Sequence, residues 1–95
     1  MPAYLIVDIE VTDPVRYEEY RKLVAPSVAR HQGRYLVRGG KTETLEGSWE
    51  PGRLVVVEFP NAEQAKAWWS SLDYRPLREL RQLSAKTDMV LVEGI

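Results

Sequence analysis

A chain of 95 residues makes one domain, residues 1–95, and a domain of that size buries only about two-thirds of the surface its unfolded chain exposes. Its 44% hydrophobic and 28% charged content is that of a folded chain, and its formal net charge of −1 supplies no overall field to draw nucleic acid or an anionic membrane. The lack of cysteine removes disulfides, thiolate metal sites and a cysteine nucleophile together.

No basic leader precedes the first strand pattern and no apolar run reaches membrane-spanning length, so a cytoplasmic protein is expected. That strand is predicted from Ala3 to Val11, where Leu5, Val7, Ile9 and Val11 alternate with Tyr4, Ile6, Asp8 and Glu10. Asp13-Pro14 opens a helix: the aspartate accepts an orphan backbone N–H, and proline fits the first helical position. Tyr17, Tyr20, Val24 and Val28 recur at helical spacing, Pro26 should kink or split the helix, and Gly33 should close it. A second strand, Arg34 to Leu45, and a third, Arg53 to Phe59, are expected to form a hairpin-like pair, with Gly39-Gly40 marking a bulge or a close backbone approach. Asn61 caps the next helix with Gln64 three residues on, as in a capping box, and the buried face is predicted as Ala65, Trp68, Trp69 and Leu72. A further helical segment carries Leu77, Leu80 and Leu83, and the last strand is expected from Met89 to Glu93. The order βαββαβ defines an α+β, ferredoxin-like arrangement, a four-stranded antiparallel sheet with helices on one face.

The third strand is the most informative stretch. Val55, Val57 and Phe59 line one side of it while Leu54, Val56 and Glu58 line the other, so both faces are largely apolar although the helices cover only one. The second face must meet a partner, most simply a second copy of this chain, with Ile6, Leu54 and Val56 in the interface.

Several segments together carry a family resemblance: Asp13-Pro14 with Tyr17 and Tyr20, Arg34 through Gly40, Leu45-Glu46-Gly47 with Trp49 and Arg53, Val57-Glu58-Phe59-Pro60, and Ala67-Trp68 leading to Ser71, Tyr74 and Arg81. Over nearly its whole length the chain resembles the domain-of-unknown-function family numbered 1330. The resemblance implies a dimeric α/β barrel, in which two ferredoxin-like sheets pack face to face. Trp69 stands where the family often has tyrosine and Gln32 where it often has glycine, so no role of a tyrosine hydroxyl carries over to position 69. The family has no agreed activity, and the resemblance therefore implies architecture rather than a reaction.

Arg38 and Glu58 form the best chemical constellation, with Asp8 as a third member. A hairpin centred near Ser48 sets Arg38 opposite Glu58 on the open face, where a carboxylate between burial and a guanidinium could act as a base beside an anion-orienting cation. The alternative is a structural ion pair at the interface rim. Ser71, Tyr74 and Arg81 are the supporting polar candidates for ligand binding. Trp68 joins them, since Trp68, Trp69 and Tyr74 either line a pocket for a flat apolar ligand or are simply core. Arg75, Arg78 and Arg81 recur every three residues as a solvated face, of which Arg81 is expected to turn inward toward Tyr74 or Glu58. His31, the only histidine, reads as a proton shuttle or as an exposed helix-end residue.

No HExxH or other ligand spacing points to a metal, no Walker, dinucleotide or serine-elbow motif is present, and no cofactor is expected. The third strand lacks the stacking aromatics of an RNA-recognition sheet, so no nucleic-acid partner is expected either. Two functions remain open. One is a cofactor-free enzyme acting on a small organic molecule; the other is a non-catalytic small-molecule binding or stress-associated accessory protein. A polar group aimed into a closed pocket favours the first, and a pocket lined only by tryptophans and leucines favours the second.

Overall fold

A computed structural model describes residues 1–95. In chain order the elements are β1 (Ala3–Val11), α1 (Pro14–Arg30), β2 (Arg34–Arg38), β3 (Arg53–Phe59), α2 (Ala62–Trp69), α3 (Arg75–Ser84) and β4 (Ala85–Glu93). The strands form one open antiparallel sheet in the order β2-β3-β1-β4, the ferredoxin-like topology. No helix is long and apolar enough to cross a membrane.

Register assigns the two faces. Leu5 opposes Val57 and Leu91, and Val7 opposes Val55 and Met89, all on the side covered by helices. There they meet Tyr17, Tyr20, Val24 and Val28 of α1, Ala65 and Trp68 of α2, and Tyr74, which together make one core. On the other face Ile6 opposes Val56 and Val90, and Tyr4 opposes Glu58 and Val92. No helix covers this face, and Val90 is 59% exposed.

Caps fix the helix starts as the sequence demands. Asp13 accepts from the Arg16 N–H at 3.2 Å, and Asn61 from the Gln64 N–H at 2.8 Å. The Asn61 capping box is only half formed, because the Gln64 side chain donates instead to the His31 carbonyl at 3.3 Å. Helix α1 runs through Pro26 without being split. Its left-handed terminal residue is Gln32, at φ 65°, rather than Gly33. The N–H of Gln32 reaches the Ala29 carbonyl and that of Gly33 the Val28 carbonyl, a Schellman ending with a side chain where glycine is preferred.

Three further expectations are corrected. Strand β2 stops at Arg38 instead of reaching Leu45, because Gly39 turns into the left-handed region at φ 73° after one last bond to the Leu54 carbonyl. The bulge lies between Tyr35 and Val37, not at Gly39-Gly40. Strand β4 begins at Ala85, four residues before Met89, since Ala85, Thr87, Met89 and Leu91 alternate onto the helix side even though Lys86 and Asp88 make the segment look polar.

Candidate functional site

Arg38 and Glu58 do not form a pair. The extra residue in β2, Leu36, leaves Tyr35 opposite Val57 and Arg38 opposite Val55, both facing the helices, while Arg34 stands opposite Glu58 on the open face. Glu58 accordingly takes its ion pair from Arg34, Nε to Oε1 at 2.7 Å. Arg38 lies on the helix side of the sheet but stays exposed: its Nη2 donates to the Arg21 carbonyl at 2.7 Å and its guanidinium lies 4.5 Å from the Tyr35 ring centre. Asp8 joins neither. It opposes Leu54, four residues along β1 from Tyr4, which is about 13 Å at the rise of a strand. Its carboxylate instead accepts from Trp49 Nε1 and the Gly52 N–H, both at 2.9 Å, and so ties down the loop before β3.

Polar groups gather between the helices. Tyr74, fully buried at 0% exposure, stacks on Trp68 with ring centres 3.9 Å apart. Its hydroxyl lies 2.9 Å from the Tyr20 hydroxyl and accepts from Arg81 Nε at 3.3 Å. Burial pushes the Tyr20 hydroxyl well above the ordinary tyrosine range, so it stays neutral and able to donate or accept. Arg81, on the inner face of α3, is only 5% exposed and takes part in none of the molecule's ion pairs. Its side chain lines a cleft of about 450 Å³ enclosed by α2, α3, β1 and β4, with Ala65, Trp69, Thr87, Met89 and Leu91. The Thr87 hydroxyl is buried and has no hydrogen-bond partner. A guanidinium removed from water without a counter-ion is costly, which makes this cleft receptive to an anion.

The remaining candidates divide. Trp68 is core and also lines a narrower cavity on the α1 side, its Nε1 donating to Ser27 Oγ at 3.2 Å. Ser71 does not line either cavity: its hydroxyl donates to the Trp68 carbonyl at 2.7 Å and accepts from the Tyr74 N–H at 3.3 Å, joining the end of α2 to the start of α3. Trp69 and Leu72 are not on the buried face. Leu72 is 85% exposed, and Trp69, 42% exposed, forms the rim of the larger cleft with the Arg78 guanidinium 4.4 Å from its ring. Arg78 Nη1 also donates to the Trp69 carbonyl at 2.6 Å, because α2 ends there and leaves that carbonyl free.

His31 is half-buried rather than exposed and has a fixed partner. Its Nε2 lies 2.9 Å from Asp73 Oδ1, while Asp73 Oδ2 accepts from Ser27 Oγ at 2.9 Å and from Arg30 Nη2 at 3.3 Å. The His31 hydrogen bond, with those from Ser27 and Arg30, holds the Asp73 carboxyl well below the usual carboxylate range. This network clamps the end of α1 to the turn before α3. No three His, Asp or Glu side chains stand close enough together to hold a metal ion.

Arg53 and Thr87 were missed by sequence reasoning, although a signal existed for both. The alternation that puts Val55, Val57 and Phe59 on the helix side puts Arg53 there too, and Thr87 has the same parity as Met89.

The element order and the open antiparallel sheet β2-β3-β1-β4 with helices on one face define a ferredoxin-like α+β domain. Residues 2–95 match the family described as "Domain of unknown function (DUF1330)", and the chain belongs to that family. Among curated proteins no sequence match is found. The chain is similar to a solved protein of unknown function from Rhodopseudomonas palustris at 15% identity and a TM-score of 0.79, covering 99% of this chain and 82% of that one. A dimeric ferredoxin-like protein of unknown function from Jannaschia sp. CCS1 is 14% identical with a TM-score of 0.71, covering 99% of this chain and 100% of that one. SnoaB, a cofactor-independent oxygenase from Streptomyces nogalater, is 11% identical with a TM-score of 0.69, covering 99% and 93%. At these identities the likeness is one of fold.

Proposed function

We propose that the protein is a homodimer, joined through the open face of its sheet, that binds and acts on a small organic anion in the cleft at Arg81. The observation that carries the site is the Arg81 guanidinium, buried, without a carboxylate, and lining a cleft of about 450 Å³. The cleft has no carboxylate or imidazole to remove a proton, so a reaction there would begin from a substrate that arrives as an anion, such as a carboxylate or the anion of an acidic enol or phenol. Arg81 would stabilise that charge throughout. The fold shared with a cofactor-independent oxygenase supports the catalytic side. The six apolar residues of the lining support the second reading, binding without chemistry.

Native mass spectrometry of protein purified without denaturation tests the site, followed by thermal-shift measurements with a panel of aromatic acids and acidic phenols. An organic anion retained by the wild type and lost in Arg81→Met is the expected result; a panel without effect, or one acting equally on Arg81→Met, would overturn it. Conversion of the bound compound separates enzyme from binder.

The dimer is supported by dimensions and by likeness to the Jannaschia dimer. The subunit is a slab of 36 × 33 × 16 Å, and its open face is broad enough for the roughly 800 Å² per partner that a stable interface buries. Val56→Asp would set an unpaired charge in that interface, whereas Arg78→Ala changes a cation at the far cleft rim. Light scattering should give monomers for the first and dimers for the second. A Val56→Asp dimer would refute the face assignment.

A further inference from the structure

The narrower cavity, between α1 and the helix side of the sheet, has about 30 Å³ and shares only Leu5 and Met89 with the larger cleft. That is room for roughly two waters or for one planar, two-oxygen head group. Three arginines line it: Arg21, which is paired with Glu18, and Arg38 and Arg53. Arg38 lies 4.5 Å from the Tyr35 ring centre and Arg53 5.9 Å from that of Tyr17, so each is stacked on an aromatic face at the cavity wall.

Neither guanidinium belongs to any of the molecule's ion pairs. Arg38 uses one donor on the Arg21 carbonyl, and Arg53 Nε is buried with no partner at all. The nearby carboxylate, Glu18, is held by Arg21 at 3.2 Å. Gly39 confines Arg53 from outside: it is left-handed, and a Cβ there would collide with the Arg53 guanidinium. Arg38, exposed at the edge of the cavity, and Arg53, partly buried, line the same space and retain unused donors, which an acceptor with two oxygens satisfies. The small volume of the cavity suits a planar two-oxygen head better than a tetrahedral phosphate.

We propose that Arg38 and Arg53 form a carboxylate-binding site, distinct from the Arg81 cleft, that takes the head of a small organic acid between their guanidiniums with its apolar body against the tyrosine rings. Arginine is suited to this role because its planar fork matches a carboxylate two bonds at a time. The site does not rest on the reading of the Arg81 cleft.

Calorimetric titration with benzoate, and separately with inorganic phosphate, tests it on the wild type and on Arg38→Met, Arg53→Met and Arg81→Met. Benzoate should bind, and each charged hydrogen bond removed should weaken it by at least about tenfold in Arg38→Met and Arg53→Met, while Arg81→Met keeps this binding event. Arg53→Lys, which keeps the charge and loses the fork, should fall in between; it carries the test if a methionine variant melts early. Absence of benzoate binding at millimolar concentration would overturn the proposal, as would binding unaffected by every Arg38 and Arg53 variant. Phosphate binding more tightly than benzoate would overturn the carboxylate assignment. Binding lost only in Arg81→Met would assign the acid to the other cleft and likewise refute this site.

Discussion

Replacing Tyr74 by phenylalanine removes one oxygen atom and breaks two contacts. The Tyr74 hydroxyl is 2.9 Å from that of Tyr20 and accepts from Arg81 Nε at 3.3 Å, and for both partners it is the sole side-chain hydrogen bond. Both are buried, so the change leaves a neutral hydroxyl and one guanidinium donor unsatisfied. Each stranded group costs about 1–3 kcal/mol, which places Tyr74→Phe at about 2–4 kcal/mol once partial relaxation into the neighbouring clefts is allowed. Tyr20→Phe is milder: it removes one bond and leaves Tyr74 still accepting from Arg81, for about 1 kcal/mol. For a domain of this size the first should lower the melting temperature by roughly 10–20 °C and the second by roughly 4–8 °C. Thermal and urea unfolding at one fixed protein concentration measures both, since assembly makes the midpoint depend on concentration. Equal losses, or a larger loss for Tyr20→Phe, would refute the central place given to Tyr74.

Gln32→Gly should stabilise the fold by about 0.5–1 kcal/mol in the same unfolding assay, because it relieves a left-handed side chain at the end of α1 and returns part of the gain as unfolded-state entropy. Asp73→Asn should destabilise at neutral pH. The wild-type carboxyl is held below its ordinary value, so its contribution is complete above about pH 4 and disappears as pH falls through the lower folded value; the gap between wild type and variant should close in that acidic window. A double-mutant cycle with Arg34→Met and Glu58→Gln should give a measurable coupling. The corresponding cycle for Arg38 and Glu58 should give none beyond about 0.5 kcal/mol, since those side chains lie on opposite faces of the sheet.

What could be read from the sequence was whatever local chemistry determines. The bounds of β1 and β3 follow from strict alternation, and the starts of α1 and α2 from side chains that cap their own backbone, Asp13 and Asn61. What could not be read depended on counting across the sheet. No residue type announces the extra residue at Leu36, yet it decides that Glu58 meets Arg34 and that Arg38 falls on the helix side. Trp69 and Leu72 have the right character for a core but fall at the end of a short α2, where the chain turns outward before α3. The inward turn of Arg81 follows from helical phase with Leu77 and Ser84, whereas its lack of a carboxylate partner depends on which distant elements pack against it.

The irregularity in β2 has a consequence for both surfaces of the sheet. In an unbulged ladder Leu36 would oppose Val56, Val37 would oppose Val55, and Arg38 would fall opposite Leu54 on the uncovered apolar face. A cation stranded there would work against any second subunit docking on that face, and the tyrosine-lined cavity would lose the Arg38 guanidinium. One inserted residue thus keeps the outer face free of that charge and moves it to the helix side, where it stays exposed. Changes in chain length around Leu36 should therefore alter assembly and anion recognition together, whereas substitutions at Leu36 that preserve the count should leave both alone.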